Sequence, residues 1–523
     1  MTEATGIMAL ATLLSRIAGL ARDVVVARIF GAGFATDAFF MAFTIPNLLR
    51  RFFAEGSLTA AFVPTFTDVL TRQGADEARQ VARICVTLLL LVMLGVVTLG
   101  LLASPLVVKV IGYGFAGVAG KLSLTDLLNR IMFPYILLIS MVALYAGILN
   151  VRGHFFIPAL SPVILNLAMI GCSLLLAPHL QQPILALAIG VLIGGLAQLI
   201  MQIPVLHRHG YDLRLDFHFR HPAVTKVARL MLPGIAGVAI YQINVLVTRL
   251  LASFLEEGSV SWLYYGQRLF EFPQGVFVVS LAQAVLPTMS RQQAAGDEEG
   301  FRQSLKFAMT LIILVTIPAA VGLVLCSEAV YSLFFMYGEF SAADVSQAAR
   351  ALSWYAPGLL FVGVSRVVAP SFYALKDTRT PVVVSFWTLL VNAVLGYLLM
   401  QVMGHAGLAL ALTLSAVFNA GVLVWLLDRR LGDLRFATLF RLLPRLAPGL
   451  LGMLLVVTLL LDQTEWLNEG AFALRAVLLG SAVCAGGGIY ILCAWLFGVD
   501  EIRQALQMLM RRLTRNASGG RHE

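Results

Sequence analysis

Apolar stretches of about 20 residues recur along nearly the whole of this chain, each long enough for a helix to cross a hydrocarbon core about 30 Å thick. Fourteen are expected, centred near residues 18, 50, 93, 140, 167, 194, 240, 275, 315, 362, 390, 416, 450 and 484. With 59% hydrophobic and only 12% charged residues over 523 positions, the chain lacks the polar surface of a water-soluble domain. Lipid offers no partner to a backbone amide, so each segment must satisfy its own backbone, and a helix does so. The expected fold class is therefore an all-α polytopic membrane protein with 14 transmembrane helices. No extramembrane domain is expected.

A net charge of +9 could signal a nucleic-acid partner, but the basic residues are distributed otherwise. About two dozen of the 37 Lys and Arg fall in alternate connections: Arg72 to Arg83, Arg152, Arg208 to Arg229, Arg291 to Lys306, Lys376 to Arg379, Arg429 to Arg445, and the tail from Arg503. The intervening connections carry few, and two of them, Ser327 to Gln347 and Asp462 to Gly470, are acidic. The positive-inside rule makes the basic connections cytoplasmic, which places both termini inside and requires an even number of spans. Membrane lipid, not nucleic acid, is the expected surroundings. Arg16 and Arg22 interrupt the first apolar segment, so it does not read as a cleaved signal peptide. Cys85, Cys172, Cys326, Cys484 and Cys493 lie in or beside apolar spans without paired spacing, and read as small buried hydrophobes.

Three proline contexts recur at one offset of 223 residues: Val63-Pro64-Thr65 with Leu286-Pro287-Thr288, Pro134 with Pro357, and Pro158 with Pro381. A proline in a membrane helix removes a backbone bond and bends the helix, so matched prolines imply matched bends. The chain is then expected to form two pseudo-symmetric six-helix lobes of the same orientation, plus two C-terminal helices. The expected divisions are an N-lobe over residues 1–205, a C-lobe over 206–428, and the last two helices with a cytoplasmic tail over 429–523. Two lobes around a cleft are the usual architecture of an alternating-access transporter, with a channel as the other reading.

Five arginines, Arg16, Arg22, Arg50, Arg51 and Arg268, stand inside these segments. A guanidinium keeps its charge at any biological pH, so each costs at least about 2.5–3.5 kcal/mol in hydrocarbon unless it meets something anionic. On the first helix, Thr12, Ser15, Arg16, Gly19, Arg22 and Asp23 fall within an arc of about 120°. That polar face is expected to turn toward a water-filled cavity, with Gly19 letting a ligand or a neighbouring helix come close. Arg28, on the opposite side, reads as a snorkelling interface residue. The second helix, expected from about Thr36 to Phe66 with a bend at Pro46, carries Asp37, Asn47, Arg50, Arg51 and Glu55. The bend leaves either Arg50 or Arg51 to face the cavity, and Glu55 can pair with Arg51 one turn away. On the eighth helix Tyr264, Tyr265, Gln267, Arg268 and Glu271 precede Pro273, and Arg268 and Glu271 can form a private pair.

Five arginines against four carboxylates, Asp23, Asp37, Glu55 and Glu271, allow either a fully paired structural network or a cavity for an anion. The arginines come from both halves, and the bidentate guanidinium fork suits phosphate oxygens, which favours an anion with phosphate groups. No Walker P-loop, H-E-x-x-H, G-x-S-x-G or clustered His is present, so neither an enzyme nor a cofactor or metal site is expected. Transport would be driven by the membrane potential or an ion gradient. The potential contributes about 2.3 kcal/mol per charge per 100 mV to an anion leaving a negative-inside cell.

The run Ser15-Arg16-Ile17-Ala18-Gly19-Leu20-Ala21-Arg22-Asp23 is followed by Phe30-Gly31-Ala32-Gly33, Thr36-Asp37-Ala38-Phe39, Pro46-Asn47-Leu48-Leu49-Arg50-Arg51 and Phe53-Ala54-Glu55-Gly56. It strongly resembles the MurJ (MviN) family of bacterial lipid II flippases, in the multidrug/oligosaccharidyl-lipid/polysaccharide (MOP) exporter superfamily. Tyr264-Tyr265, Arg268 and Glu271-Phe272-Pro273 match as well. The resemblance implies movement of lipid II, the undecaprenyl-pyrophosphate-linked disaccharide-pentapeptide, from the inner to the outer leaflet of the bacterial cytoplasmic (inner) membrane. That step serves peptidoglycan biosynthesis, cell wall biogenesis and cell shape. By position it implies substrate-binding roles for Arg16, Arg22, Arg50 and Arg268, with Ser15 and Asp37 beside them. It implies gate or support roles for Asp23, Arg51, Glu55 and Glu271, and favours Arg50 over Arg51 in the cavity. It further implies that the last two helices form a groove for the lipid tail, and makes cell-wall synthesis proteins candidate partners.

Some members of the family carry an acidic sodium site on helices 7, 11 and 12. Here Asn244 and Asn392 stand in the seventh and eleventh segments without a carboxylate, which leaves membrane potential or protons as the drive. Two alternatives share much of this reading. A flippase for another polyprenyl-linked oligosaccharide would need nearly the same physics. A MATE-like multidrug exporter would share the lobes but want carboxylates or aromatics where this chain has arginines.

Overall fold

The computed structural model describes residues 2–52, 57–212, 214–432, 441–468 and 470–499, and no strand occurs among them. Helix ends follow from local chemistry. Helix α4 (Ala75–Ile111) starts after Gly74 at φ 93°, puts Asp76 and Glu77 in its first turn and Lys109 in its last, and so matches its dipole at both ends. Helix α12 (Glu298–Phe335) starts the same way: the Asp297 side chain accepts from the Gly300 amide at 2.9 Å, and Glu298 and Glu299 follow. Helix α9 (Pro222–Ser253) opens with proline at its first position, where the missing amide costs nothing, and the His221 ring accepts from the Ala223 amide at 3.2 Å.

The expected repeat holds element by element. Adding 223 to helix α6 (Tyr135–Val151) gives 358–374, the bounds of α14 (Gly358–Ala374). Helix α5 (Lys121–Met132) breaks from α6 at Phe133-Pro134, and α13 (Ala342–Tyr355) breaks from α14 at Ala356-Pro357 with a 42° bend. Helix α2 (Phe34–Arg50) has its counterpart in α10 (Ser259–Pro273), since 50 plus 223 is 273, and a wider turn follows each, at residues 51–52 and at Gln274–Val278. Pro46 lies inside α2, the helix widens at residues 51–52, and α3 (Ser57–Arg72) begins beyond residues 53–56, which lie outside the described residues.

A helix or broken pair stands at each of the expected positions, from α1 (Thr2–Phe30) onward. Among the described residues, ten helices, or eleven with the α13–α14 pair, are long and apolar enough to cross a membrane, so that measure does not confirm a count of fourteen. Of the helices outside that set, α2 and α3 are only 17 and 16 residues long.

The chain forms two compact units, residues 1–261 with 337–341, and residues 262–336 with 342–523. In the first, α1 packs on α7 (Phe156–Leu175), α7 on α8 (Leu185–Arg208), and α2 on α5, while α9 lies against α3 and α4. In the second, α15 (Arg379–Met403) pairs with α16 (His405–Leu431), and α12 packs on α13 and α14. The two added helices, α17 (Leu442–Leu461) and α18 (Phe472–Leu496), pair with each other and with α12.

Their docking rests on a core of Leu314, Leu446, Met453, Val457 and Ala482, and on polar ties at one end. Arg475 is 3% exposed and donates to the Ser332 hydroxyl at 3.3 Å and to the carbonyls of Glu465, at 2.7 Å, and Asn468. The Tyr490 hydroxyl donates to the Leu314 carbonyl at 2.8 Å. Because α18 is covered only on that side, Cys484 is exposed and Cys493 half-buried, against the expectation that all five cysteines are buried; Cys85, Cys172 and Cys326 are buried. Arg475→Leu should lower stability by roughly 2–4 kcal/mol, because it leaves two carbonyls and a hydroxyl without their donor. Thermal unfolding in detergent reads this, and Arg475→Lys should recover part of the loss.

Candidate functional site

The polar stripe of α1 is real, and its members differ in how their charge is met. Arg22 and Asp23 are 7% and 5% exposed. The Arg22 Nε and Nη2 both donate to Asp23 Oδ1, at 3.0 and 2.6 Å, and Nη1 donates to Asn166 Oδ1 of α7 at 3.1 Å. The guanidinium is thereby held in one orientation by a carboxylate and an amide. Gly19 sits at this crossing, where an added Cβ would make an ordinary contact with Asn166 Nδ2 at 3.7 Å. Arg16 and Ser15, further toward the N-terminus, are half-buried and make no hydrogen bond or ion pair with a described residue. A cation in that position has charge to spare for a ligand.

On α2 the half-buried Arg50 donates through Nε and Nη2 to Asn47 Oδ1, at 3.1 and 2.9 Å, one turn earlier. Arg51 follows at the wider turn and is half-buried. Glu55 lies outside the described residues.

Asp37 is 1% exposed and fully engaged. Its Oδ2 accepts from Lys121 Nζ at 3.0 Å and from the Gly258 amide at 2.8 Å, and its Oδ1 accepts from the Ser261 amide at 2.9 Å and hydroxyl at 2.7 Å. It therefore caps the start of α10, the helix that carries Arg268. The capping is reciprocal, since Glu257 Oε1 accepts from the Phe34 amide at the start of α2 at 2.7 Å, and 34 plus 223 is 257. Two further contacts tie the same unit. The Gly114 amide donates to the Ser253 hydroxyl at 3.0 Å, and the Glu339 amide donates to the Arg28 carbonyl at 2.9 Å. At Gly114 and Gly338 a Cβ would collide with the backbone of Ser253 and Arg28, so both need glycine. Arg28 lies over the Tyr337 ring, 4.6 Å from its centre, where a snorkelling role was expected.

In the second unit Arg268 is about one-third exposed, its side chain at 36%. It donates to Glu271 Oε2 at 3.2 Å and to the Tyr264 hydroxyl at 3.0 Å, with its guanidinium 4.9 Å from the Tyr264 ring centre. Gln267 also donates to Glu271, at 3.2 Å, so the i, i+3 pair open to sequence reasoning is formed and buttressed.

The reading of the sequence missed Asn166 and Lys121. Asn166 is a single amide in an otherwise apolar span, and Lys121 a single cation after the uncharged run Gly112–Gly120; that isolation was the available signal. Lys121 is 2% exposed, and losing it strands a buried carboxylate. Lys121→Met should therefore cost about 3–5 kcal/mol. Adding Asp37→Asn should restore part of that, because a neutral amide needs no counter-charge. Equal thermal unfolding of the single and double variants would show that the pair is not coupled.

Residues 26–480 match the family model described as lipid II flippase MurJ. A probable lipid II flippase MurJ of Vibrio cholerae is 40% identical over 420 residues, covering 79% of this chain and 80% of that protein. The lipid II flippase MurJ of Burkholderia cenocepacia is 36% identical over 423 residues, covering 80% and 82%. Among solved structures, lipid II flippase MurJ in an inward closed conformation aligns with a TM-score of 0.76 at 27% identity, covering 95% of this chain and 99% of that one. An inward-facing MATE transporter of the MOP superfamily aligns with a TM-score of 0.66 at 14% identity over 82% of this chain and 98% of that one, a likeness of fold alone. The α2 run and the Arg268 segment lie within the residues that the family model matches, and this chain belongs to the lipid II flippase MurJ family.

Proposed function

We propose that this protein flips lipid II from the inner to the outer leaflet of the bacterial inner membrane, with both termini cytoplasmic. Family membership supports the substrate. The observation that carries the site is Arg16: a permanent cation on a membrane helix, half-buried and with no hydrogen bond or ion pair to a described residue, one and a half turns from an Arg22 whose orientation is fixed.

In this reading Arg16, Arg22, Arg50 and Arg268 hold the pyrophosphate, with Ser15 beside Arg16. Guanidinium groups match phosphate oxygens in charge and in fork geometry, and cannot lose their charge to burial as a lysine can. Asp23, Asn166, Asn47, Glu271 and Tyr264 keep three of the forks oriented, which lowers the entropy cost of binding. Asp37 serves the site through α10, by fixing the start of the helix that presents Arg268. The lobes alternate access. The reciprocal capping of α2 and α10 then belongs to the state in which the outer side is shut, and it parts when the head group leaves. The prenyl tail remains in lipid along α17 and α18. Membrane potential or an ion gradient supplies the drive, at about 2.3 kcal/mol per charge per 100 mV.

In a strain depleted of its own flippase, Arg16→Ala and Arg268→Ala should each abolish growth while membrane levels of the protein stay normal. Arg16→Lys should rescue only in part, because an ammonium keeps the charge but not the fork. Normal growth of both alanine strains would remove the arginines from the binding role.

A further inference from the structure

The connection between α8 and α9 is not a loose linker. Tyr211 is 4% exposed, accepts from Arg152 Nε at 3.0 Å and lies 6.1 Å from the Phe66 ring. Arg83 of α4 grips Asp212 through two donors, at 2.5 and 2.7 Å. The Asp216 amide donates to Thr87 of α4 at 2.8 Å, and the His221 ring meets Glu77 at 2.8 Å. The chain therefore runs along α4 from Arg83 to Thr87 and returns to Glu77. The Arg83 hydrogen bond holds the Asp212 carboxyl below the usual carboxylate range, so this tie stands at neutral pH and is lost only as pH falls through that lowered value.

The depth of the turn is set by α4. Arg83 is the last charge before an uncharged run that extends to Val108, and Thr87 lies about 6 Å further along the helix, inside that run. What projects away from α4 at that depth is apolar and cationic. Leu215 and Phe217 are 54% and 59% exposed, Arg214 and His218 have side chains 83% and 85% exposed, and Arg220 is exposed. The acidic residues of the segment are engaged: Asp212 holds Arg83, with Arg214 also 3.4 Å from it, and Asp216 accepts from the His218 amide and ring.

We propose that residues 214–221 form an anchor for anionic lipid, in which Leu215 and Phe217 enter the acyl boundary and Arg214 and Arg220 bind phosphate headgroups. Exposed apolar side chains at bilayer depth are stable in lipid and costly in water, and cations beside them select lipids of negative charge. On the topology proposed above this is the cytoplasmic leaflet, whose surface is negative. The anchor does not depend on the identity of the transported lipid.

The test uses full-length Phe217→Trp protein in phosphatidylcholine vesicles containing, at equal mole fraction, bromine-bearing phosphatidylglycerol or bromine-bearing phosphatidylcholine. Quenching is read as the excess over wild type, which has six tryptophans of its own. The anchor predicts excess quenching that is at least about twofold stronger with the anionic lipid. It also predicts loss of that preference when Arg214→Gln and Arg220→Gln are added. Leu215→Trp provides a second probe should the first variant fold poorly. No excess quenching at either probe would place the segment outside the bilayer, against a protein or in water, and overturn the anchor. Equal quenching by both lipids would overturn the anionic selectivity.

Discussion

A charge carried into hydrocarbon must be met, and the architecture of this protein follows the places where its charges are met. Lys121 and Asp37 lie almost wholly out of contact with solvent and satisfy one another, with two backbone amides and a hydroxyl completing the carboxylate. Such a pair adds little net stability compared with apolar residues, but it fixes a register, because losing either partner is expensive. What is fixed here is the start of α10, at the Gly258 and Ser261 amides. Arg22 is in an intermediate condition, oriented by Asp23 and Asn166. Arg16 has no protein partner among the described residues. Along α1 the charges therefore pass from the oriented Arg22 to the available Arg16, as an anion site requires.

The internal repeat shows how one backbone can carry different chemistry. Lys121 has its counterpart at Asp344, since 121 plus 223 is 344. In the first copy the position supplies a cation to Asp37; in the second it supplies a carboxylate to the Trp262 indole, at 2.9 Å. At the opposite helix ends, His154 has its counterpart at Asp377, since 154 plus 223 is 377: the His154 ring stands 4.2 Å from that of His209, whereas Asp377 pairs with Arg430 at 2.5 Å. The helices and breaks repeat, while the side chains at the joints do not. The asymmetry lies in the ties, so the two halves need not be equally stiff.

Much of the fold was legible because bilayer thickness and proline chemistry leave few solutions. The offset of 223 residues taken from three proline contexts predicts the bounds of α14 from those of α6 and the shared break before each. The stripe of Thr12, Ser15, Arg16, Gly19, Arg22 and Asp23 was legible because a regular helix has one period. The widened turn at residues 51–52 was not, because such a turn can open several residues past the proline that precedes it, and helical phase is lost there. Asp37 was expected beside the substrate, and its buried partners come from sequence positions 121, 258 and 261, which no local pattern connects. Asn166 was invisible for the same reason. A single amide in a span has no period, and its meaning comes only from the arginine it faces.

The central claim is that a fixed guanidinium on α1 takes the pyrophosphate of lipid II. The most direct measurement is the leaflet distribution of lipid II in cells depleted of the native flippase, comparing the wild-type chain with Arg22→Ala at equal membrane abundance. The account predicts that wild type restores lipid II to the outer leaflet and that the variant leaves it inside. Outward lipid II in the variant at the wild-type level would contradict the arginine mechanism. Failure of an inserted, stable wild-type chain to move lipid II would contradict the substrate and turn attention to other polyprenyl-linked sugars.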